Sequence, residues 1–122
     1  MIGFNELPVL LVEDEGMVAL LIEDMLAQLG CKVTASASRV SQACELAKST
    51  PVEIAILDVN LAGESVAPVA RILQDRGIPF VFSTGYGRTG LPPGFSASPV
   101  ITKPFSINEL QAQVSAALSR AP

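Results

Sequence analysis

Acidic side chains follow two short apolar runs of this sequence. The acidic triplet Glu13–Glu15 comes directly after the run Pro8–Val12, and Asp58 ends the run Ile54–Leu57. An ionised carboxylate is rarely buried unless a cation or hydrogen bonds compensate for its lost hydration. Asp58 is therefore expected either at an exposed strand end or in a chemical role.

Two further polar groups follow apolar runs later in the chain. Thr84 comes after the run Ile78–Ser83, and Lys103 comes after the short run Val100–Thr102. Taken singly, each polar group has an ordinary explanation, as an acidic helix start, a turn or a helix boundary. A chemical role is favoured only if the fold brings these polar groups together at one place.

Hydrophobic periodicity predicts one α/β domain over residues 1–122. The apolar strands are continuous rather than alternating, which indicates a doubly wound, mainly parallel five-stranded sheet with helices on both faces. Two adjacent prolines and two glycines within Arg88–Pro99 predict that any fourth helix is short or irregular. Strands are expected at Pro8–Val12, Cys31–Ala35, Val52–Val59, Ile78–Ser83 and Val100–Thr102, and helices at Gly16–Leu29, Arg39–Lys48 with a Ser38 cap, Val66–Arg76 and after Ser106.

In such a sheet, ligands bind beyond the carboxyl ends of the strands. The triplet Glu13–Glu15, Asp58, Thr84 and Lys103 would all meet at that edge. Clustered carboxylates repel one another unless a cation lies among them, and oxygen ligands suit Mg²⁺. Phosphoryl transfer needs such a metal, a positive charge and hydrogen-bond donors. Asp58 is thus a candidate nucleophile, Lys103 the charge and Thr84 the hydroxyl.

Composition removes several other classes of function. The formal net charge is −4 and no basic cluster is present, so nucleic-acid binding is not expected. No apolar run approaches the roughly 18 residues of a membrane span, and no basic segment of a secretory signal precedes Pro8. The absence of histidine excludes Ser-His-Asp and Cys-His catalysis and His-ligated zinc. Cys31 and Cys44 are expected to be reduced thiols of a cytoplasmic protein.

Four segments, LLVEDE, ILDVNLAG, FVFSTGYG and ITKPF, occur in an order and spacing that resemble a known family. From about Pro8 to Leu118 the chain resembles a response-regulator receiver domain of two-component signalling. The resemblance implies a flavodoxin-like sheet with strand order 2-1-3-4-5. Because the chain ends soon after its last helix, a stand-alone receiver is expected.

The resemblance also implies a role for each matching residue around a Mg²⁺ ion. Asp58 would be the phospho-acceptor and a metal ligand, and Asp14 would bind the metal directly. Glu13 would act mainly through water, and Asn60 would offer its backbone carbonyl. Glu15 matches no functional position and is interpreted as a helix-start acid.

Thr84 and Lys103 would contact the phosphoryl group, and Lys103 would be joined to Pro104 by a cis bond. Tyr86 stands two residues after Thr84, where its ring would either shield the phosphoryl group from water or be a half-exposed loop aromatic.

The sequence also departs from the family pattern. Val100 occupies the position of the aromatic residue that usually rotates during switching, so that switch is not expected here. Ala62 replaces the common proline, which would loosen the loop after Asp58. The segment Arg88–Pro99 belongs to the family's usual signalling face, so a remodelled face is expected.

The function predicted from the resemblance is phosphorylation-dependent signalling. Asp58 would accept a phosphoryl group from a sensor histidine kinase or phosphotransfer protein and later hydrolyse it, without a free metabolite as substrate, and the downstream protein stays unidentified. One alternative is a pseudo-receiver that binds a partner without phosphorylation. Another alternative is an aspartyl-phosphate hydrolase that acts on free metabolites. Such enzymes typically carry a second Asp at the position of Asn60, so this residue argues against that alternative.

Overall fold

The computed structural model describes residues 4–120; residues 1–3 and 121–122 of the predicted domain lie outside this range. Its strands are β1 (Leu7–Val12), β2 (Cys31–Ala37), β3 (Ile54–Asp58), β4 (Asn60–Leu61), β5 (Glu64–Ser65), β6 (Phe80–Thr84) and β7 (Val100–Thr102). Its helices are α1 (Gly16–Gln28), α2 (Val40–Ser49), α3 (Ala67–Asp75) and α4 (Ile107–Arg120), with a 3₁₀ turn η1 (Gly87–Gly90). None of the helices within residues 4–120 is long and apolar enough to cross a bilayer.

A five-stranded sheet runs through the centre of the molecule in the order β2-β1-β3-β6-β7. Every neighbouring pair in it is parallel. This confirms the predicted order 2-1-3-4-5, since β4 and β5 form a separate two-stranded hairpin. The central strand β3 is buried along its whole length, as its uninterrupted apolar run indicates.

Side chains alternate between two apolar layers along each strand. Ile56 and Val81 are in register and pack on the side of α1 and α4, which we call the α1/α4 face. Leu57 and Phe82 are in register one residue later and pack on the side of α2 and α3, the α2/α3 face. The same alternation decides which face each polar residue at the strand ends reaches.

The segment after Asp58 differs from the expected loose loop. Residues 60–61 and 64–65 pair as an antiparallel hairpin, with Ala62 and Gly63 between them at φ +51° and +88°. Positive φ at both central positions is the conformation of a type I′ turn. The amide of Ala62 donates a 2.9 Å hydrogen bond to Oδ2 of Asp14, and this contact ties the hairpin to the end of β1. The loop predicted after Asp58 is therefore part of a hairpin anchored to Asp14, and the effect of Ala62 on its stiffness stays a prediction.

The Pro/Gly-rich segment has no regular α-helix, as predicted, and begins with the turn η1. Its position is held by Phe95, which is only 5% exposed. The ring of Phe95 contacts those of Phe80 and Phe82 edge to face, with centroids 5.8 and 5.6 Å apart. Sequence reasoning missed this anchor, because a lone aromatic in an irregular segment has no periodicity that reveals its burial.

The starts of α2 and α4 were each predicted to have a serine cap. The predicted Ser38 cap is wrong, because Arg39 is the residue before the first turn of α2 and no side-chain cap bond is present there. The Ser38 amide donates a hydrogen bond to Gln42 Oε1. At α4, Ser106 and Glu109 form a reciprocal capping box, and Lys103–Pro104 is cis as expected.

Both cysteines are free thiols, as expected. Cys31 is buried, and desolvation raises its pKa to about 11. Burial also raises the pKa of the half-buried Cys44 thiol.

Candidate functional site

Four strand ends meet at the carboxyl edge of the sheet, and together they deliver the polar residues singled out in the sequence. Glu13 follows β1, Asp58 is the last residue of β3, Thr84 is the last of β6 and Lys103 follows β7. The strand order places β3 between β1 and β6, so Asp58 occupies the middle of this edge.

Three carboxylates form a cluster at this edge. One oxygen each from Glu13, Asp14 and Asp58 lies within 4.8 Å of the others. Glu13 and Asp58 are buried, with 4% and 7% of their surface exposed, whereas Asp14 faces solvent. Backbone amides from Glu15 and Asn60 donate to Glu13 Oε2 at 3.2 Å and to Asp58 Oδ1 at 3.3 Å. These two bonds compensate only part of the charge that burial has desolvated.

Lys103 is the cation of the cluster. Its Nζ lies 2.8 Å from Oε1 of Glu13 and 3.4 Å from Oδ2 of Asp58. The ammonium therefore bridges the two buried carboxylates but lies closer to Glu13.

Burial and neighbouring charges shift the pKa values of Asp58 and Lys103. Desolvation, followed by the charge of Glu13, raises the pKa of Asp58 from 3.8 to about 7, although the Asn60 amide and Lys103 act in the opposite direction. Burial lowers the pKa of Lys103, but the hydrogen bonds and charges of Glu13 and Asp58 outweigh that effect and raise it overall. Lys103 thus stays charged, whereas Asp58 titrates near neutral pH.

Thr84 lies on the other face of the sheet from Asp58. Its Oγ1 is buried and accepts a 3.0 Å hydrogen bond from the amide of Tyr86. The turn η1 packs directly over this hydroxyl, since a Cβ added at Gly90 would lie only 2.6 Å from Thr84 Oγ1. The hydroxyl predicted to contact the phosphoryl group is therefore held against η1 here.

Two other predicted residues have clear positions. Asn60 accepts a 2.9 Å bond from the Gly63 amide through Oδ1, so its side chain holds the type I′ turn. Tyr86 is 81% exposed, which favours its interpretation as a loop aromatic over that of a shield.

Sequence reasoning missed Ser83, which precedes Thr84. Ser83 is in register with Asp58 on the neighbouring strand and is 1% exposed. Its Oγ has no hydrogen-bond partner in the part of the chain that the structure describes. Counting in steps of two from the buried residue Val81 would have placed Ser83 on the α1/α4 face.

An apolar patch on α1 begins one turn from the carboxylate cluster. Met17, Leu20 and Leu21 are 81%, 62% and 55% exposed. The helix has apolar residues on more of its circumference than the sheet can cover, so the surplus faces solvent.

Comparisons with known proteins agree with this geometry. The family model described as response regulator receiver domain matches residues 9–115. The chain is similar to the solution structure of SdrG from Sphingomonas melonis Fr1, with TM-score 0.83, 36% identity and coverage of 92% of this chain and 96% of that one. It is also similar to the receiver domain of the response regulator PhyR from Erythrobacter litoralis, with TM-score 0.81, 29% identity and coverage of 96% and 93%.

Curated relatives include the transcriptional regulatory protein PdtaR of Mycobacterium tuberculosis, which is 28% identical over 116 residues. The match covers 92% of this chain but 57% of PdtaR, so the chain spans about half the length of that relative.

Proposed function

The chain belongs to the response regulator receiver domain family, and we propose that Asp58 is its phospho-acceptor, taking a phosphoryl group from the phosphohistidine of a sensor histidine kinase or a phosphotransfer protein. The observation that supports this most directly is the arrangement of Glu13, Asp14 and Asp58 within 4.8 Å, with the ammonium of Lys103 beside Asp58. Neither a helix-start acid nor a turn requires such an arrangement.

The donor set fits Mg²⁺. Asp14 and Asp58 would ligate the ion directly, the backbone carbonyl of Asn60 would add a third oxygen, and Glu13 would act through water. Burial and the charge of Glu13 raise the pKa of Asp58 and so disfavour its ionised form, which a divalent cation at this place would favour. When bound, the ion supplies charge neutralisation at the phosphoryl oxygens.

The residues of the chain have defined parts in the proposed transfer. A carboxylate oxygen of Asp58 attacks phosphorus, the P–N bond to the donor imidazole breaks, and the electron pair of that bond returns to the ring nitrogen. Lys103 stays protonated because its pKa is raised, and its charge faces the phosphoryl oxygens. Water later attacks phosphorus, which restores the Asp58 carboxylate and releases inorganic phosphate.

A protein donor suits the surface next to the site better than a free metabolite does. The exposed patch of Met17, Leu20 and Leu21 lies on α1, whose first residue follows the acidic triplet directly. An exposed apolar surface of this kind is typical of protein contacts. Downstream signalling would use the remodelled surface that η1 and Phe95 organise.

The proposal is tested by incubating the protein with Mg²⁺ and acetyl phosphate and measuring the intact mass. The expected result is one added phosphoryl group, absent in Asp58→Asn and present in the matched control Asp75→Asn, whose carboxylate is exposed at the end of α3. A wild-type protein without the adduct would favour the pseudo-receiver alternative. An adduct that persists in Asp58→Asn would show that Asp58 is not the acceptor.

A further inference from the structure

Among the side chains that the structure describes, the hydroxyl of Ser83 is the one buried oxygen or nitrogen that has no hydrogen-bond partner. A buried hydroxyl without a partner costs stability, because it has lost water and gained nothing in return. Alanine would fit the apolar surroundings on this face, where Val81 and Ile101 are the same-face neighbours. The state of the protein described here therefore gives no reason for a serine at this position.

The neighbours of Ser83 are the reactive groups of the site. It is in register with Asp58 on β3 and with Ile101 on β7, and strands in register lie about 4.8 Å apart. Lys103 is two residues after Ile101, and its side chain reaches Asp58 across the end of β6. The Ser83 side chain is thus on the same face as the acceptor carboxylate and beside the path of the lysine.

The ammonium of Lys103 has an unused N–H donor that could bind this hydroxyl. An ammonium carries three N–H donors, and among the described residues Glu13 Oε1 and Asp58 Oδ2 accept two of them. Phosphorylation would change this balance, because the attacked Asp58 oxygen becomes part of the acyl phosphate and the new negative charge lies further out. The ammonium would follow this charge outward, and its unused donor would then be available to the Ser83 hydroxyl.

We propose that Ser83 is a positioning residue of the phosphorylated state: its hydroxyl accepts a hydrogen bond from Lys103 Nζ once Asp58 carries the phosphoryl group, and so holds the ammonium against the phosphoryl oxygens. This inference rests on the proposed function. It gives the unpaired hydroxyl beside Asp58 a partner in the phosphorylated state.

The test uses beryllofluoride with Mg²⁺, a phosphoryl mimic that binds without a group-transfer step, measured by titration calorimetry. Ser83→Ala is expected to bind beryllofluoride about tenfold more weakly than the wild type, as for the loss of one hydrogen bond to a charged group. Without beryllofluoride, the same variant should unfold at an equal or higher denaturant concentration, because the substitution removes an unpaired hydroxyl.

Two further variants serve as controls. Ser83→Thr keeps a hydroxyl and should recover the affinity for beryllofluoride. Ser115→Ala, at an exposed position on α4, is the matched control.

A purely structural serine would give the opposite pattern, with lower stability and unchanged affinity in Ser83→Ala, and that result would overturn the inference. Failure of a folded Ser83→Thr variant to recover affinity would also overturn it. If the wild type itself bound no beryllofluoride, the proposed function would fail together with the role of Ser83. If the wild type bound it and Ser83→Ala bound it equally well, only the role of Ser83 would fail.

Discussion

The shortest ion pair at the carboxyl edge of the sheet joins Lys103 to Glu13, with 2.8 Å between Nζ and Oε1. Both ends of this pair are shielded from solvent, since the side chains are 22% and 1% exposed. Asp58, the proposed acceptor, is the more distant partner of the same ammonium. Burial and then the charge of Glu13 raise the pKa of Asp58, and the more distant ammonium of Lys103 offsets this rise only in part.

The raised pKa of Asp58 predicts how stability depends on pH in metal-free protein. The pKa of Asp58 is about 7 in the folded state against an ordinary value of 3.8, so the folded state binds more protons than the unfolded state between these two pH values. The free energy of unfolding should therefore fall as pH rises from about 4 to about 7. Asp58→Asn removes this titration, so above pH 7 it should be more stable than the wild type by about 1–3 kcal/mol.

This prediction is checked by urea unfolding in EDTA across that pH range, with Asp75→Asn as the control. The gap between Asp58→Asn and the wild type should close toward pH 4. A gap that is the same at every pH would contradict the assignment of the titration to Asp58.

Asp14 should control the response of stability to Mg²⁺. If the cluster binds the ion, a concentration of about 100 times the dissociation constant would add about 2.7 kcal/mol to the free energy of unfolding. Asp14→Asn should lose most of this gain, because it removes one charge from the proposed ligand set. The variant keeps an oxygen that can accept the Ala62 amide, so its stability in EDTA should stay near that of the wild type. If Mg²⁺ raised the thermal stability of the wild type and of Asp14→Asn by the same amount, that result would count against a metal site at Asp14.

Proline at position 62 should break the hairpin. Proline fixes φ near −65° and has no amide hydrogen, whereas Ala62 has φ +51° and donates to Asp14. Ala62→Pro should therefore lower the free energy of unfolding by at least the worth of one hydrogen bond to a charged group, about 1.5–3 kcal/mol.

Ala62→Gly is the matched variant, because it keeps the amide and accepts positive φ without strain. Denaturant unfolding should place it within about 1 kcal/mol of the wild type. A proline variant as stable as the glycine variant would show that the hairpin is not a fixed part of the structure.

Gly90 should be required for the observed position of the Thr84 hydroxyl against η1. An added Cβ would lie 2.6 Å from Thr84 Oγ1 and 3.3 Å from the Cβ of Tyr86, so either the hydroxyl or the turn η1 must move. Gly90→Ala should therefore cost about 1–3 kcal/mol, as overpacking usually does. It should also shift the amide resonance of Tyr86, which donates to Thr84. Gly85→Ala meets open space and should do neither; similar effects in the two variants would refute the steric argument.

The sequence was sufficient to predict the sheet and the members of the carboxylate cluster. Continuous apolar runs mark parallel strands, and the carboxyl ends of parallel strands share one edge, so Asp58 and Lys103 had to approach each other. The preference of Lys103 for Glu13 was not predictable, because it depends on tenths of an ångström in side-chain positions. The β4–β5 hairpin was missed because alanine is a poor residue for positive φ, and a tertiary bond to Asp14 overrides that preference.

The ring of Phe95 has a consequence for protein engineering. A helical recognition surface must keep a period of 3.6 residues to stay attached to its sheet, but the segment after η1 is attached through Leu91, Pro92 and Phe95, of which Pro92 and Phe95 are buried. The exposed positions of this segment should therefore accept foreign residues without redesign of the core, provided that these three residues are retained. The segment is the natural place to graft a new recognition sequence onto this scaffold.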